Sequence, residues 1–129
     1  MIIDSSALLA IFFEEDDAVR FAARCAEPIR KRMSAATYLE CAIKLDNNSG
    51  GAPVELDEYL ELAGVEVVPV TPAQARIARR AHQRFGKGRH PAALNFGDCF
   101  AYALALETAE PLLFKGDDFA QTDLPRVET

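Results

Sequence analysis

Long apolar runs are missing from this sequence of 129 residues, although half of its residues are hydrophobic. None approaches the roughly 20 residues that a membrane-spanning helix needs, so no membrane segment is predicted. The first ten residues, MIIDSSALLA, place no basic residue before the apolar stretch, and they do not indicate a secretory signal. We therefore expect one cytoplasmic domain, residues 1–129, with a real hydrophobic core.

Cysteine and histidine are scarce, with three and two copies. Cys25, Cys41 and Cys99 are odd in number and lack the spacing of zinc sites; Cys41 and Cys99 lie in apolar helix-like segments, which favours buried thiols in a reducing cytosol. No Ser–His–Asp or Cys–His set stands out, and the phosphate-binding pattern GxxxxGK[ST] is missing. The stretch GKGRH resembles that pattern only in composition.

Acidic residues are missing from one long interval, between Glu66 and Asp98. The remainder of the chain carries 8 Lys and Arg against 20 Asp and Glu. The interval holds both histidines and six of the fourteen basic residues: Arg76, Arg79, Arg80, Arg84, Lys87 and Arg89. A solvated helix face followed by a loop would explain this pattern, and so would a track for a polyanion such as RNA.

Short β-branched or apolar segments alternate with helical patterns along the chain. The predicted strands are MIID (1–4), RMSAAT (32–37), VEVVPV (65–70) and PLLFKG (111–116), with LPRVE as a possible edge strand. Helices are predicted between them, with Ser5 or Ser6 capping the first and Thr71 capping another. Residues 47–53 read as a loop. Strands separated by helices predict a three-layer α/β/α sandwich around a mostly parallel sheet of four to five strands.

Four acidic positions fall where such a fold concentrates its chemistry. Asp4 ends the first predicted strand, and Asp117 and Asp118 directly follow PLLFKG. Glu40 and Asp98 lie at the starts of apolar helices, in TYLECAI and LNFGDCFAYALA. Because binding sites in parallel sheets lie beyond the carboxyl ends of the strands, these acids are predicted to converge on one pocket.

Each acid also has an ordinary structural explanation. Asp4 and Asp98 suit helix N-caps, and the two acids after PLLFKG suit a turn. Glu40 suits a capping box with Thr37. Convergence, however, would force carboxylates together, and they would repel unless some were protonated or a cation neutralised them. Oxygen ligands without histidine or cysteine favour Mg²⁺, with Mn²⁺ as the alternative, and such a site suits hydrolysis of phosphodiesters.

Four segments together resemble the PIN-domain ribonucleases, and most closely the VapC-type toxins of bacterial toxin–antitoxin pairs. They are MIIDSSALLAIFFEE, SAATYLECAI, LNFGDCFAYALA and PLLFKGDDFAQTDL, in this order and near the family's spacings. The resemblance covers nearly the whole chain. It implies a Mg²⁺-dependent endoribonuclease on a mostly parallel sheet, a small antitoxin that occludes the site, often with a basic side chain reaching the acids, and a toxin homodimer.

The same resemblance assigns the catalytic acids. Asp4, Glu40 and Asp98 match three of the family's acidic positions, whereas Gly116 stands where many members carry the fourth. Asp117 or Asp118 then takes that place, and we assign it to Asp117. In this hypothesis Asp4 and Asp98 bind the metal directly, Glu40 and Asp117 complete its shell, and the six basic residues hold RNA phosphates.

Two other functions remain as alternatives. A phosphate-receiving signalling domain also has an acid after its first strand and a lysine, here Lys115, ending a later strand. It needs an acceptor aspartate after a central strand, however, and VEVVPV ends in Thr71 and Pro72 instead. A catalytically idle binding module would use its acids only as caps.

Overall fold

The computed structural model of the chain describes residues 1–48 and 55–129. Within these residues lie four short strands and six α-helices. The strands are β1 (Ile2–Ile3), β2 (Lys31–Ser34), β3 (Val65–Val68) and β4 (Leu112–Leu113). The helices are α1 (Ser5–Phe12), α2 (Ala18–Cys25), α3 (Ala35–Asn48), α4 (Leu56–Ala63), α5 (Pro72–Phe85) and α6 (Phe96–Thr108).

All four strands run parallel, in the order β3-β2-β1-β4. Ile2 is in register with Arg32 on one side and with Leu112 on the other, so β1 lies inside the sheet. The carboxyl end of β1 therefore lies between the carboxyl ends of its two neighbours, β2 and β4. The predicted edge strand LPRVE is reduced to a single parallel bridge between Leu112 and Arg126.

Two apolar cores lie on opposite faces of the sheet. Ile3 and Leu113 belong to the core formed with α1 to α4, whereas Ile2 and Leu112 belong to the core formed with α5 and α6. Successive side chains of a strand point to opposite faces, so both residues of each two-residue strand are buried. This arrangement confirms the predicted three-layer α/β/α sandwich.

The helix ends mostly follow local sequence signals. Thr71 caps α5 by accepting a hydrogen bond from the backbone N–H of Gln74 at 3.1 Å, as predicted. For α1 the predicted caps Ser5 and Ser6 were wrong, whereas the capping explanation of Asp4 is confirmed: Asp4 is the N-cap, and Ser5 is already helical. The loop predicted over residues 47–53 was also placed too early, because α3 continues to Asn48. Residues 49–53 of that prediction lie outside the described residues.

Two further findings concern the apolar content of the chain. In residues 1–48 and 55–129, no helix combines the length and hydropathy required to cross a bilayer. All three cysteines are buried free thiols, which confirms the core positions predicted for Cys41 and Cys99.

Candidate active site

Asp4 lies at the carboxyl end of β1 and is almost fully buried, with 3% of its surface exposed. Its Oδ2 accepts hydrogen bonds from the Ser6 hydroxyl at 2.7 Å and from the Ser6 backbone N–H at 3.1 Å. Burial raises the pKa of Asp4, the bonds from Ser6 oppose that rise, and the charge of Glu40 adds to it. Asp4 is thus both a helix cap and a carboxylate whose ionisation is disfavoured where it lies.

Ser6 also connects Asp4 to the segment that follows β4. Its Oγ accepts a hydrogen bond from the backbone N–H of Lys115 at 2.9 Å while donating to Asp4. The Lys115 ammonium lies 2.6 Å from Glu15 and 3.0 Å from Asp17, both in the segment between α1 and α2. These contacts fix the loop after β4 beside the carboxyl end of β1.

Glu40, on α3, reaches the start of α1. Its Oε1 accepts a hydrogen bond from the hydroxyl of Ser5 at 2.7 Å, and Ser5 is buried. The capping-box explanation for Glu40 is wrong, because α3 begins at Ala35 and Thr37 is therefore inside the helix. Glu40 is bonded across the fold and not within its own helix.

The Glu40 carboxylate also lies against the first turn of α6. A Cβ added to Gly97 would lie 2.8 Å from Cδ of Glu40 and closer still to Oε2. Real Cβ atoms essentially never come within 3.0 Å of such a neighbour. Gly97 therefore leaves the space that the Glu40 carboxylate occupies, next to Asp98.

Asp98 is the third residue of α6 and forms a capping box with Asn95. Its Oδ2 accepts from the Asn95 backbone N–H at 3.0 Å, and its own N–H donates to the Asn95 side chain at 2.9 Å. Burial raises the pKa of Asp98 to about 6, against the lowering effect of the Asn95 bond. The charges of Asp4, Asp118 and Glu40 raise it as well. Asn95 is therefore the N-cap of α6, and Asp98 contributes to capping only as the third residue of the box; the charges of three other acids also act on it.

The two acids after β4 differ in their effect on the pKa of Asp98. Asp117 and Asp118 are both exposed and follow Gly116, whose φ of 101° lies in the left-handed region. Asp118 is the one whose charge raises the pKa of Asp98. The assignment of the fourth acid to Asp117 stays a prediction, and Asp118 stays the alternative that the sequence left open.

Two of the same acids also affect the pKa of the buried Cys41 thiol. Its pKa is raised to about 12, first by burial and then by the charges of Asp4 and Glu40. Cys41 follows Glu40 on α3, whereas Asp4 belongs to another element. The charges of Asp4 and Glu40 therefore both reach the Cys41 thiol, as expected if the carboxyl end of β1 lies close to α3.

The acids of this site offer the oxygen ligands that a hard cation such as Mg²⁺ prefers. Asp4, Glu40, Asp98 and Asp118 offer only carboxylate oxygens, and their charges oppose one another. In residues 1–48 and 55–129, no three His, Cys, Asp or Glu side chains are placed to hold a metal ion together. Mg²⁺ is usually held through one or two carboxylates and keeps several waters, so two direct ligands are sufficient. The residues present therefore fit a water-rich Mg²⁺ site.

The predicted RNA-binding residues all lie exposed on one side of the molecule. Arg76, Arg79, Arg80 and Arg84 project from α5, and Lys87 and Arg89 lie in the loop that joins α5 to α6. The row Arg76, Arg80 and Arg84 repeats every four residues, opposite the buried Ala78 and Phe85. Like charges at this spacing repel by a few tenths of a kcal/mol, so the row slightly lowers the stability of α5.

This basic surface extends along a groove to the start of α6. Arg79 and His82 line a groove of about 380 Å³ between α5 and α6, opposite Phe96. Phe96 is 80% exposed and opens the helix that carries Asp98. The Arg84 guanidinium already has partners within the protein, because it lies 3.2 Å from Asp123 and over the Phe85 ring.

Comparison with known proteins identifies the family. The model of the PIN domain matches residues 1–124. This chain belongs to the PIN-domain family. It is 52% identical over 131 residues to ribonuclease VapC28 of Mycobacterium tuberculosis, covering 98% of this chain and 97% of that protein. It is 48% identical over 128 residues to ribonuclease VapC of Mycolicibacterium smegmatis, covering 98% and 99%. The predicted resemblance is confirmed.

Solved PIN-domain structures share the fold at low sequence identity. Mycobacterium tuberculosis VapC20, a sarcin-ricin loop cleaving toxin, superposes with a TM-score of 0.72 at 17% identity, covering 99% of this chain and 98% of that one. VapBC2 from Rickettsia felis, bound to a DNA fragment from its promoter, gives a TM-score of 0.66 at 14% identity, covering 98% and 96%. These likenesses support the same layered PIN architecture.

Two residues of the candidate site could not be recognised from the sequence. Ser5 was considered only as a helix cap, and Gly97 was not among the predicted site residues. Ser5 holds Glu40 across 35 residues of sequence, and Gly97 makes room for it. The one available signal was a glycine in the first turn of an otherwise apolar helix, where alanine would be the better helix former.

Proposed function

We propose that this PIN-domain chain is a Mg²⁺-dependent endoribonuclease that acts as the toxin of a toxin–antitoxin pair. The observation that carries the proposal is that the charge of Glu40 raises the pKa of Asp4, and that the charges of Asp4 and Glu40 together raise the pKa of Asp98 and of Cys41. Isolated caps would not act on one another in this way. The relatives named ribonuclease over the whole chain support RNA as the substrate.

The carboxylates have distinct roles in this proposal. Asp4 and Asp98 would hold Mg²⁺, or Mn²⁺, directly, because burial raises the pKa of both carboxyls and a bound cation would favour their ionised forms. Glu40 and the acid after β4, Asp117 or Asp118, would complete the shell through water or a second ion. The bound ion would lower the pKa of a water and neutralise charge that develops on the phosphate.

The chain's own groups prepare this arrangement. The Ser6 hydroxyl donates to one oxygen of Asp4 and so fixes the orientation of that carboxylate. The Asn95 backbone N–H does the same for Asp98. Ser5 holds Glu40, which would orient the attacking water. Carboxylates held by hydrogen bonds lose little freedom when substrate binds.

RNA would enter over the basic surface. Arg76, Arg79 and Arg80 project into solvent, and among the described residues they make no salt bridge. An RNA strand whose phosphates are bound there would run past the groove that Arg79 and Phe96 line. The net charge of −6 would repel RNA elsewhere, so the acid-free interval would select the face that RNA approaches.

Cleavage of structured RNAs tests the proposal directly. Purified protein, free of any antitoxin, would be incubated with and without Mg²⁺ beside the variant Asp98→Asn. Glu58→Gln, which removes an exposed carboxylate on α4, is the matched control. We expect Mg²⁺-dependent cleavage by the wild type and by Glu58→Gln, and a loss of at least a hundred-fold, on the order of one essential ligand, for Asp98→Asn. Equal cleavage by all three, or none across a broad RNA panel, would favour an idle binding module.

The same assay separates the two candidates for the fourth acid. Asp118→Asn should reduce cleavage more than Asp117→Asn, because the charge of Asp118 acts on Asp98. The reverse order would restore the assignment made from the sequence to Asp117.

The proposal includes two protein partners. The solved toxin–antitoxin complex from Klebsiella pneumoniae shares this fold, with a TM-score of 0.69 at 17% identity, covering 95% of this chain and 92% of that chain. By analogy, a small antitoxin would occlude the acids, and the toxin would form a homodimer. Light scattering of the chain alone and after co-expression with the neighbouring reading frame measures both. A monomer that no co-expressed protein joins would contradict this part of the proposal.

A further inference from the structure

Gly97 differs from the glycines that this chain uses for backbone freedom. Gly64, Gly88 and Gly116 have left-handed φ values, and a Cβ on any of them would meet nothing within 4 Å. Gly97 lies inside α6 without a positive φ, where alanine would suit the helix better. Local conformation therefore gives no reason for a glycine at this position.

The reason lies across the fold, in the contact with Glu40. A Cβ on Gly97 would overlap Oε2, lie 2.8 Å from Cδ and lie 3.3 Å from Oε1. These are the three terminal atoms of one side chain. The obstacle is therefore a carboxylate that can swing away and not a backbone that must deform.

From the other side, Ser5 holds the same carboxylate. Its hydroxyl donates to Oε1 at 2.7 Å, and the Lys44 ammonium lies 4.0 Å from the same oxygen. Glu40 is thus confined between α1 and the first turn of α6. The residue after Gly97 is Asp98, so the confinement places Glu40 beside that acid.

We infer that Gly97 is a positioning residue: its missing side chain lets Glu40 reach the acidic pocket beside Asp98. The inference rests on the proposed function, since it gives Glu40 a place in the metal site. A methyl group at position 97 would displace the Glu40 carboxylate outward and separate it from Ser5. Mg²⁺ binding would weaken although every acid is still present.

A double-mutant cycle tests this inference, with Gly97→Ala in two backgrounds, wild type and Glu40→Ala. The first readout is the Mg²⁺ dissociation constant, obtained from the rise in melting temperature with Mg²⁺ concentration. In the wild-type background, Gly97→Ala should weaken Mg²⁺ binding about ten-fold or more, as loss of an outer-shell partner does. In the Glu40→Ala background the same change should alter it less than about two-fold.

The second readout is the melting temperature without metal, which does not depend on the proposed function. Alanine favours the helix, so Gly97→Ala should raise the melting temperature in the Glu40→Ala background. With Glu40 present, displacement of its carboxylate should remove part or all of that rise. Ser5→Ala, which releases Glu40 from the other side without adding volume, should weaken Mg²⁺ binding in the wild-type background alone.

The outcomes separate this inference from the proposed function. Equal effects of Gly97→Ala in both backgrounds would overturn the positioning role even if the wild type binds Mg²⁺ and cleaves RNA. Failure of Gly97→Ala to fold in both backgrounds would overturn it too, because the space would then belong to the fold and not to Glu40. Coupling without metal in a wild type that ignores Mg²⁺ would support the geometry and reject the proposed function.

Discussion

Replacing Asp98 by asparagine should stabilise the metal-free protein at neutral pH. Asp98 has a pKa of about 6 in the folded chain, against 3.8 for an ordinary aspartate, because it is buried and faces Asp4, Asp118 and Glu40. At pH 7 its ionised form is therefore held at a cost. Asparagine keeps an oxygen that can accept the bond from Asn95 and carries no charge.

The size and sign of the effect follow from linkage. A carboxyl whose pKa is higher in the folded state binds more protons when folded, so the free energy of unfolding falls as the pH rises from 3.8 and levels off above about 6. One pKa unit corresponds to about 1.4 kcal/mol, which sets an upper limit of about 3 kcal/mol, and solvent screening at this half-buried carboxyl reduces the penalty at pH 7 to about 1–2 kcal/mol. Asp98→Asn removes this penalty together with the repulsion between Asp98 and Asp4.

Urea unfolding in EDTA, at intervals from pH 4 to pH 7, measures the difference between variant and wild type. We expect a small difference near pH 4 and a stability gain for Asp98→Asn of about 1–2 kcal/mol by pH 7. Glu58→Gln, an exposed acid on α4, should give no comparable trend. Saturating Mg²⁺ should narrow the difference or reverse its sign, because the ion stabilises only the protein with its ligands intact.

Two results would refute this reasoning. A variant that is less stable than the wild type by the same amount at every pH would show that Asp98 matters only as a cap. A gain that persists unchanged in saturating Mg²⁺ would show that the acids repel one another without forming a metal site.

Three other outcomes are expected. The double change of Arg76 and Arg80 to glutamine should weaken RNA binding and lower its salt dependence by about 1–2 charges, as nitrocellulose binding at several salt concentrations would show; Arg20→Gln on α2 is the exposed control, and an equal loss there would contradict the basic track. Lys31→Met should cost about 2–4 kcal/mol in urea unfolding, because the buried ammonium donates to two main-chain carbonyls at 2.6 and 2.8 Å; a change under about 0.5 kcal/mol would show that water replaces it. The Cys41 thiol, with a pKa of about 12 and no exposed surface, should resist iodoacetamide at pH 8 until the protein unfolds, and mass spectrometry of the folded protein would reveal any earlier reaction.

The layered fold and the acidic cluster could both be approached from the sequence. Strand and helix patterns, with Thr71 and Gly64 as end signals, depend on neighbours within a few residues, and their order implied a parallel sheet. Because sites in such sheets lie at the carboxyl ends of strands, Asp4 and Asp98 were selected without any coordinates. Element ends were less accurate, since α3 continues to Asn48 through a stretch whose composition favours a loop.

The details of the site depend on contacts that sequence spacing does not encode. Thr37 and Glu40 have the spacing of a capping box, yet α3 begins before them and Glu40 bonds Ser5 instead. Asp117 and Asp118 are adjacent, and only the placement of the loop after β4 decides which one faces Asp98.

By itself, then, the sequence determined the order of the elements, the layered fold, the acid-free basic segment and the candidate acids, because hydrophobic period, caps and charge are properties of local sequence. The tertiary structure decided which of those acids share a charge environment and what holds them there. Glu40 is confined by Ser5, from 35 residues earlier, and by Gly97, from the first turn of α6. Such contacts come from packing helices onto a sheet, which brings together residues that local propensity treats as independent.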